Sequence, residues 1–249
     1  MANTEPLNNR EPVGTEFRTT HWSLVLRAGD ISCSGRSEAL ENLCRAYWRP
    51  LYGFVRRRGY DEHEAKDLTQ GFFARLLEKN DVADADASRG KFRTYLLTLL
   101  NHFLANEWDK SRRLKRGGGV SVVSLDDADA ESRYLLESSP DWSAEKVFDR
   151  RWAEAVLEAV FVRFRREVAE SGDTERYEVL KPFLLGGEGS QSYADASARL
   201  GISETGVRSV VHRFRKRFRE LVRAEIAHTV ARPEDIDGEI AYLFSALAG

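Results

Sequence analysis

The sequence predicts an all-α protein of two small helical domains joined by a flexible acidic connector. Three observations carry this. Apolar residues recur every three or four positions in segment after segment, the spacing of one buried helix face. Helix start and stop residues flank those segments. No segment of the first half alternates apolar and polar as a half-buried strand would. The chain has 249 residues, long enough for one large or two small cores, and its 13 Phe, 8 Tyr and 5 Trp supply anchors that a disordered chain lacks.

A polar start (Met1 to Glu16) with Pro6, Pro12 and Gly14 has no apolar stretch for a signal peptide. A short apolar segment begins at Trp22 to Leu26. Ser37 is then expected to cap a helix with Glu38 in its first turn and Leu40, Leu43, Cys44, Tyr47, Leu51 and Phe54 inward. Pro50 should kink or break that helix. Arg56 to Arg58 followed by Gly59 end it. Asp61 and Glu64 form a capping box for the next helix, whose buried stripe is Ala65, Leu68, Phe72, Leu76 and Leu77. Its opposite face carries Lys66, Asp67, Gln70, Arg75 and Glu78. Asn80 to Gly90 is read as a loop. A third helix starts near Lys91, with Phe92, Tyr95, Leu96, Leu99, Phe103 and Leu104 inward, and stops at Gly117 to Gly119.

In the second half, Ser143 caps a long helix with Phe148, Trp152, Val156, Ala159 and Phe164 on one face. Another is expected from about Thr174 to Leu185, before the glycines at 186, 187 and 189. Tyr193 to Leu200 is a short helix, Gly201 a turn, Ile202 a plug and Ser203 the next cap. Val207, Val210, Val211, Phe214 and Phe218 form the following inner stripe. This is a helix-turn-helix pattern, whose second helix enters the major groove of DNA. Its outward positions are Glu204, Thr205, Arg208, Ser209, His212 and Arg213, with Arg215, Lys216 and Arg219 placed for phosphates. Gly206 inside that helix either permits a close backbone approach or has drifted there.

A formal net charge of -2 conceals strong segregation. Arg89 to Arg116 sums to +6 and Ser203 to Arg223 to +5, while Leu125 to Glu145 sums to -6 and Pro233 to Gly249 adds four acids. Basic patches of this kind are the electrostatic footprint of phosphate binding. A solvated helix face is the plain alternative for any one run.

Other chemistry fits poorly. Two cysteines, Cys33 and Cys44, make neither a disulfide framework nor a zinc site and suit a reducing cytosol. Asp84, Asp86 and Ser88 have calcium-loop spacing, but Gly90 falls one place late and Tyr95 takes the closing ligand position. Asp127, Asp129 and Glu131 fail in the same way. No glycine run is followed by the Lys and Ser/Thr of a phosphate loop, and the five histidines have no metal spacing. No run approaches the roughly 18 apolar residues of a membrane span. The expectation is an intracellular, cytoplasmic protein without cofactor, metal or catalysis of its own.

Three stretches carry a family resemblance. Asp61 to Phe73 (DEHEAKDLTQGFF) is similar to a helix with the pattern E-A-x-D-L-x-Q-x-x-F. Lys91 to Leu96 (KFRTYL), with Asn101 and the basic helix end, is similar to the element that follows it. Tyr193 to Arg213 then resembles a helix-turn-helix in the same order along the chain. Together they resemble the extracytoplasmic-function (group IV) sigma factors of bacterial RNA polymerase, over roughly residues 19–229. The chain departs from the family pattern with Thr205-Gly206 in place of Gly-Thr, Tyr95 where Trp is common, and Val210 where a polar residue is frequent. The tail after residue 229 is similar to those of a subset of such factors, some of them found near Ser/Thr kinases.

The resemblance implies a disordered start (1–18), a region 2 domain (19–117) for core polymerase and the -10 element, an acidic linker (118–142), a region 4 domain (143–229) for the -35 element, and a C-terminal extension (230–249). It places core polymerase on Lys66, Asp67, Gln70 and Arg75. It places the -10 DNA on Arg89, Lys91, Arg93, Asn101, Lys110, Arg112 and Arg113, and the -35 duplex on Glu204, Thr205, Arg208, Ser209, His212, Arg213, Arg215 and Lys216 of the recognition helix. The implied partners are core RNA polymerase, promoter DNA, and an anti-sigma factor or Ser/Thr kinase as regulator. The tail would dock on region 4 or on a partner. A stand-alone helix-turn-helix regulator is the alternative function.

Overall fold

The computed structural model describes residues 22–113, 131, 141–184 and 192–248, with side chains through Asp109 in the first stretch. Among them are nine α-helices and no strand. They are α1 (Trp22–Gly29), α2 (Arg36–Arg57), α3 (Glu62–Lys79), α4 (Phe92–Arg113), α5 (Ala144–Glu170), α6 (Thr174–Leu180), α7 (Tyr193–Leu200), α8 (Glu204–Ala227) and α9 (Ile236–Ala248). Most of the acidic connector, the side chains of Lys110, Arg112 and Arg113, and the glycine stops at 117–119 and 186–189 lie outside the described residues.

Local chemistry sets most boundaries. Asp61 Oδ1 accepts from the Glu64 N–H at 2.8 Å and Glu64 Oε2 from the Asp61 N–H at 3.2 Å, the reciprocal capping box. Ser143 and Ser203 cap α5 and α8 by accepting from Lys146 and Gly206, each at 3.1 Å. Ser192 and Asp195 form a second box before α7, which the sequence reading did not include. Gly59, at φ +96°, follows α2 in the left-handed conformation.

Three boundaries differ from expectation. Helix α2 opens at Arg36, not after a Ser37 cap, because Arg36 is held by tertiary bonds. Its Nε donates to the Ala28 carbonyl at 3.1 Å, and a terminal nitrogen donates to Asn80 Oδ1 at 3.0 Å. The helix also continues through Pro50 as one element; the proline removes a single donor within an otherwise buried, well-packed stretch. Helix α6 ends at Leu180, and Pro182 tightens the next turn into a 3-10 segment over Lys181–Phe183. The loop after α3 likewise contains two 3-10 turns, Asp81–Asp84 and Ala87–Arg89.

One continuous apolar core runs from Leu24 in α1 to Leu243 in α9. Tyr47 of α2 is its hinge point. Its ring meets Phe92 of α4 edge-on at 5.6 Å and stacks near Phe148 of α5 at 6.4 Å. The helices on either side of the acidic connector therefore share a core, with α2 packing most extensively on α5. A smaller cluster of Val179, Leu180, Phe183, Ala196, Val207, Val210 and Val211 holds α6, α7 and α8 together. Val210 belongs to it, which accounts for an apolar residue at that position. Phe164 of α5 bridges toward this cluster through Tyr177 and Phe214, at 5.5 and 5.2 Å.

The tail docks. Leu243 and Ile236 of α9 are buried against α5 and α8, and Arg150 of α5 donates to the Leu247 carbonyl at 2.8 Å.

Candidate nucleic-acid interface

Helices α7 and α8 meet around Gly201, whose φ of +63° places it in the left-handed region that closes the turn. The turn is tied twice. Ile202 N–H donates to the Ser197 carbonyl at 3.3 Å, and the Ser197 hydroxyl donates to the Ile202 carbonyl at 2.6 Å. With Ile202 packed on the small cluster, the start of α8 is held rigidly.

The outer side of α8 then follows from helical spacing. Glu204, Thr205, Arg208, Ser209, His212, Arg213 and Lys216 are all exposed. Arg208 has 67% of its side-chain surface open; its guanidinium lies 5.4 Å from the centroid of Tyr193 and 3.8 Å from Glu204. Arg215 differs from its neighbours. It is half-buried, and its Nε donates to the Phe183 carbonyl at 2.8 Å, fastening the turn before α7 onto α8. Farther along, Arg217 grips Glu167 of α5 with two bonds of 2.9 and 3.0 Å. That bond, more than any other influence, holds the Glu167 carboxyl below its ordinary range.

The second basic surface starts at the 3-10 turn before α4. Arg89 is exposed, 3.4 Å from Asp86. Asp86 itself caps the turn by accepting from the Ser88 N–H at 2.8 Å and hydroxyl at 2.7 Å. Lys91 and Arg93 point elsewhere: both pair with Glu239 of α9. Arg93 is only 5% exposed and Glu239 1%. The Arg93 guanidinium lies between the rings of Trp152 and Tyr242, 4.1 and 4.6 Å from their centroids. Tyr242 donates its hydroxyl to Asp149, and burial with that bond pushes the phenol up to about 12. Burial raises the Asp149 carboxyl as well.

Tyr95, where the family resemblance puts tryptophan, uses its hydroxyl to hold the Asp81 carbonyl at 2.6 Å, so it fixes the preceding 3-10 turn to α4. Asn101 faces another direction along the same helix. Its Oδ1 accepts from Arg58 at 2.9 Å, beside a cleft of 410 Å³ lined also by Tyr60, Leu104 and Trp108. Trp108 is 53% exposed. It lies past the last inward residue named from sequence, and an exposed aromatic on a basic helix is the signal that would have marked it.

On α3, Asp67 is exposed and Lys66, Gln70 and Arg75 are half-buried. Asp67 and Gln70 stand one turn apart, with Asp67 on the side away from the core and Gln70 at its flank. Lys66 pairs with Glu62 at 2.9 Å, and Arg75 lies 6.0 Å from the Phe103 ring.

The described residues offer little else for chemistry. They contain no group of three or more His, Cys, Asp or Glu side chains that could hold a metal. No helix among them is long and apolar enough to cross a membrane. Burial pushes the Cys44 thiol up to about 12, so it stays protonated at neutral pH.

Residues 43–114 match the family model for Sigma-70 region 2, a span from the middle of α2 to the end of α4. Over this segment the chain is similar to sigma-70 region 2, and the similarity supports a sigma factor's role in RNA polymerase binding and promoter melting. No curated protein and no solved structure matches the chain.

Proposed function

We propose that this chain is a promoter-specificity subunit of the extracytoplasmic-function (group IV) class, which binds core RNA polymerase, reads a -35 duplex and melts a -10 element. The Sigma-70 region 2 match over residues 43–114 is the observation that carries the reading. In it, Asp67 and Gln70 of α3 meet the polymerase. A carboxylate and an amide on an exposed helix side make charge-assisted hydrogen bonds with basic partners, which gives a specific interface that can exchange. Arg89, Lys91, Arg93, Asn101, Lys110, Arg112 and Arg113 serve the -10 DNA, because an unstacked base needs edge hydrogen bonds and its backbone needs cations.

Helix α8 serves the -35 element. Its exposed row from Glu204 to Arg213 lies at the start of a helix held by a two-bond turn, the placement from which side chains reach base edges. Lys216 adds a phosphate contact, and Arg215 contributes by orienting α8 through Phe183. On this reading the chain performs no catalysis and needs no cofactor. Its regulators include an anti-sigma factor or a Ser/Thr kinase.

Run-off transcription with purified core polymerase on a promoter pool tests the proposal. The expected result is initiation that depends on both components. A stand-alone regulator would instead shift duplex DNA unaided and leave core polymerase inactive, and that outcome would replace this reading.

A further inference from the structure

We infer that α9 is a latch that occupies the -10 side of the molecule and must leave before Lys91 and Arg93 can meet DNA. The inference rests on the promoter function proposed above and concerns regulation of the same surface.

Glu239 presents two carboxylate oxygens to the two cations. Lys91 pairs with one, and Arg93 reaches both, its second bond measuring 3.3 Å. A carboxylate in this position makes the same charge-assisted contacts that a backbone phosphate would make. The cations are therefore satisfied by the chain itself. Tyr242, one turn after Glu239, closes over the pair: its ring centroid lies 4.9 Å from the Lys91 ammonium and 4.6 Å from the Arg93 guanidinium. A nucleic-acid strand and α9 cannot share this place.

The tail is also anchored where a release mechanism needs it. Leu243 is fully buried, and α9 packs on α5 and α8, helices outside the region 2 match. Glu239 thus connects the matched segment to the part of the chain that carries the helix-turn-helix. Separating α4 from α5 and α8 would draw Glu239 away and expose both cations together. Promoter DNA, which meets Lys91 and Arg93 only in the open form, is the ligand that favours such separation within the polymerase complex. In the free chain only the open fraction would bind -10 DNA, so the apparent affinity falls by that fraction.

The test uses the full chain and the -10 strand of a promoter recovered by run-off transcription. Single-stranded DNA of that sequence is titrated against free wild-type protein and the Glu239→Gln variant, with fluorescence anisotropy as readout. The amide keeps the size of the carboxylate and loses its charge, so the variant should bind about tenfold more tightly as the competent fraction rises. A variant that is less stable yet binds no better would make Glu239 a structural partner only, and would overturn the latch. A measurement on the wild type guards against a variant that fails to fold. Amide hydrogen exchange of residues 236–248 should be slow in the free protein and much faster in the complex with core polymerase and promoter. Unchanged protection would overturn the latch while leaving the promoter function standing. Failure to recover any promoter would remove both.

Discussion

Gly53 of α2 lies so close to Val147 of α5 that a β-carbon on the glycine would stand 3.0 Å from the valine Cγ1. Helices α2 and α5, the pair that packs most extensively in the molecule, come close at this point. Val147 is buried, and its branched side chain has few rotamers through which to yield. Gly53→Leu should therefore destabilise the chain by about 1–3 kcal/mol, as overpacking of a close-packed core does. Urea denaturation measures the loss. Combining it with Val147→Ala should recover part of the loss, giving a non-additive double-mutant cycle. Strict additivity would show that the helices are apart in solution.

Gly206 presents the opposite case. A β-carbon there would lie 3.4 Å from Ser203 Oγ and 3.7 Å from Ile202, ordinary contact distances, and its backbone is helical. Within the chain no close approach requires the glycine. Gly206→Ala should stabilise the protein by about 0.5–1 kcal/mol, the usual gain from restricting the unfolded chain within a helix. A higher urea midpoint is the expected result, and a lower one would mean that the start of α8 is not helical in solution.

The contrast between these glycines shows which parts of the molecule are legible in sequence. The caps at Asp61, Ser143 and Ser203 and the turn at Gly201 depend on residues within five positions, so local chemistry specifies them. Inner stripes are legible for the same reason. The pairing of Arg93 with Glu239 spans 146 positions and that of Arg56 with Glu131 spans 75. No periodicity encodes such contacts. Lys91 and Arg93 read from sequence as open cations, because the acid that meets them lies on a helix docked by apolar packing far along the chain. The Ser37 cap failed for a related reason: two tertiary partners, Ala28 and Asn80, set the start of α2 through Arg36, and local propensity yielded.

Glu131 supplies a pH-dependent contribution of the same long-range kind. Arg56 bonds it at 2.8 and 2.6 Å and the Tyr52 hydroxyl donates to it, so its carboxyl is held below the ordinary 4.5, chiefly by Arg56. A depressed folded value means the unfolded chain takes up the proton first as pH falls. The stabilisation is thus complete above the ordinary carboxylate range and disappears as pH drops through the folded value. Wild type should be more stable than Glu131→Gln at pH 7, and the difference should shrink toward zero in the acid range. Urea midpoints at a series of pH values give the comparison. A constant difference would mean that the charge of Glu131 contributes nothing.

Arg208 offers the most direct test of the proposed -35 surface. Its neighbours hold it weakly: the Glu204 pair is open to solvent at 3.8 Å, and exposed pairs of this kind contribute about 0–1 kcal/mol. Removing the side chain should therefore leave the fold intact, with a shift in stability within about 0.5 kcal/mol. Its effect on DNA should be larger. An arginine at the start of a recognition helix makes bidentate bonds to the major-groove edge of guanine, and loss of such a contact costs about 1–3 kcal/mol against the wrong base. Arg208→Ala holoenzyme should accordingly lose discrimination among -35 sequences that differ at one base pair, while its activity on already poor sequences changes little. Run-off transcription across single-base variants of one promoter reads this directly. An equal loss on every sequence would assign Arg208 to a phosphate instead, since a backbone contact carries no sequence information.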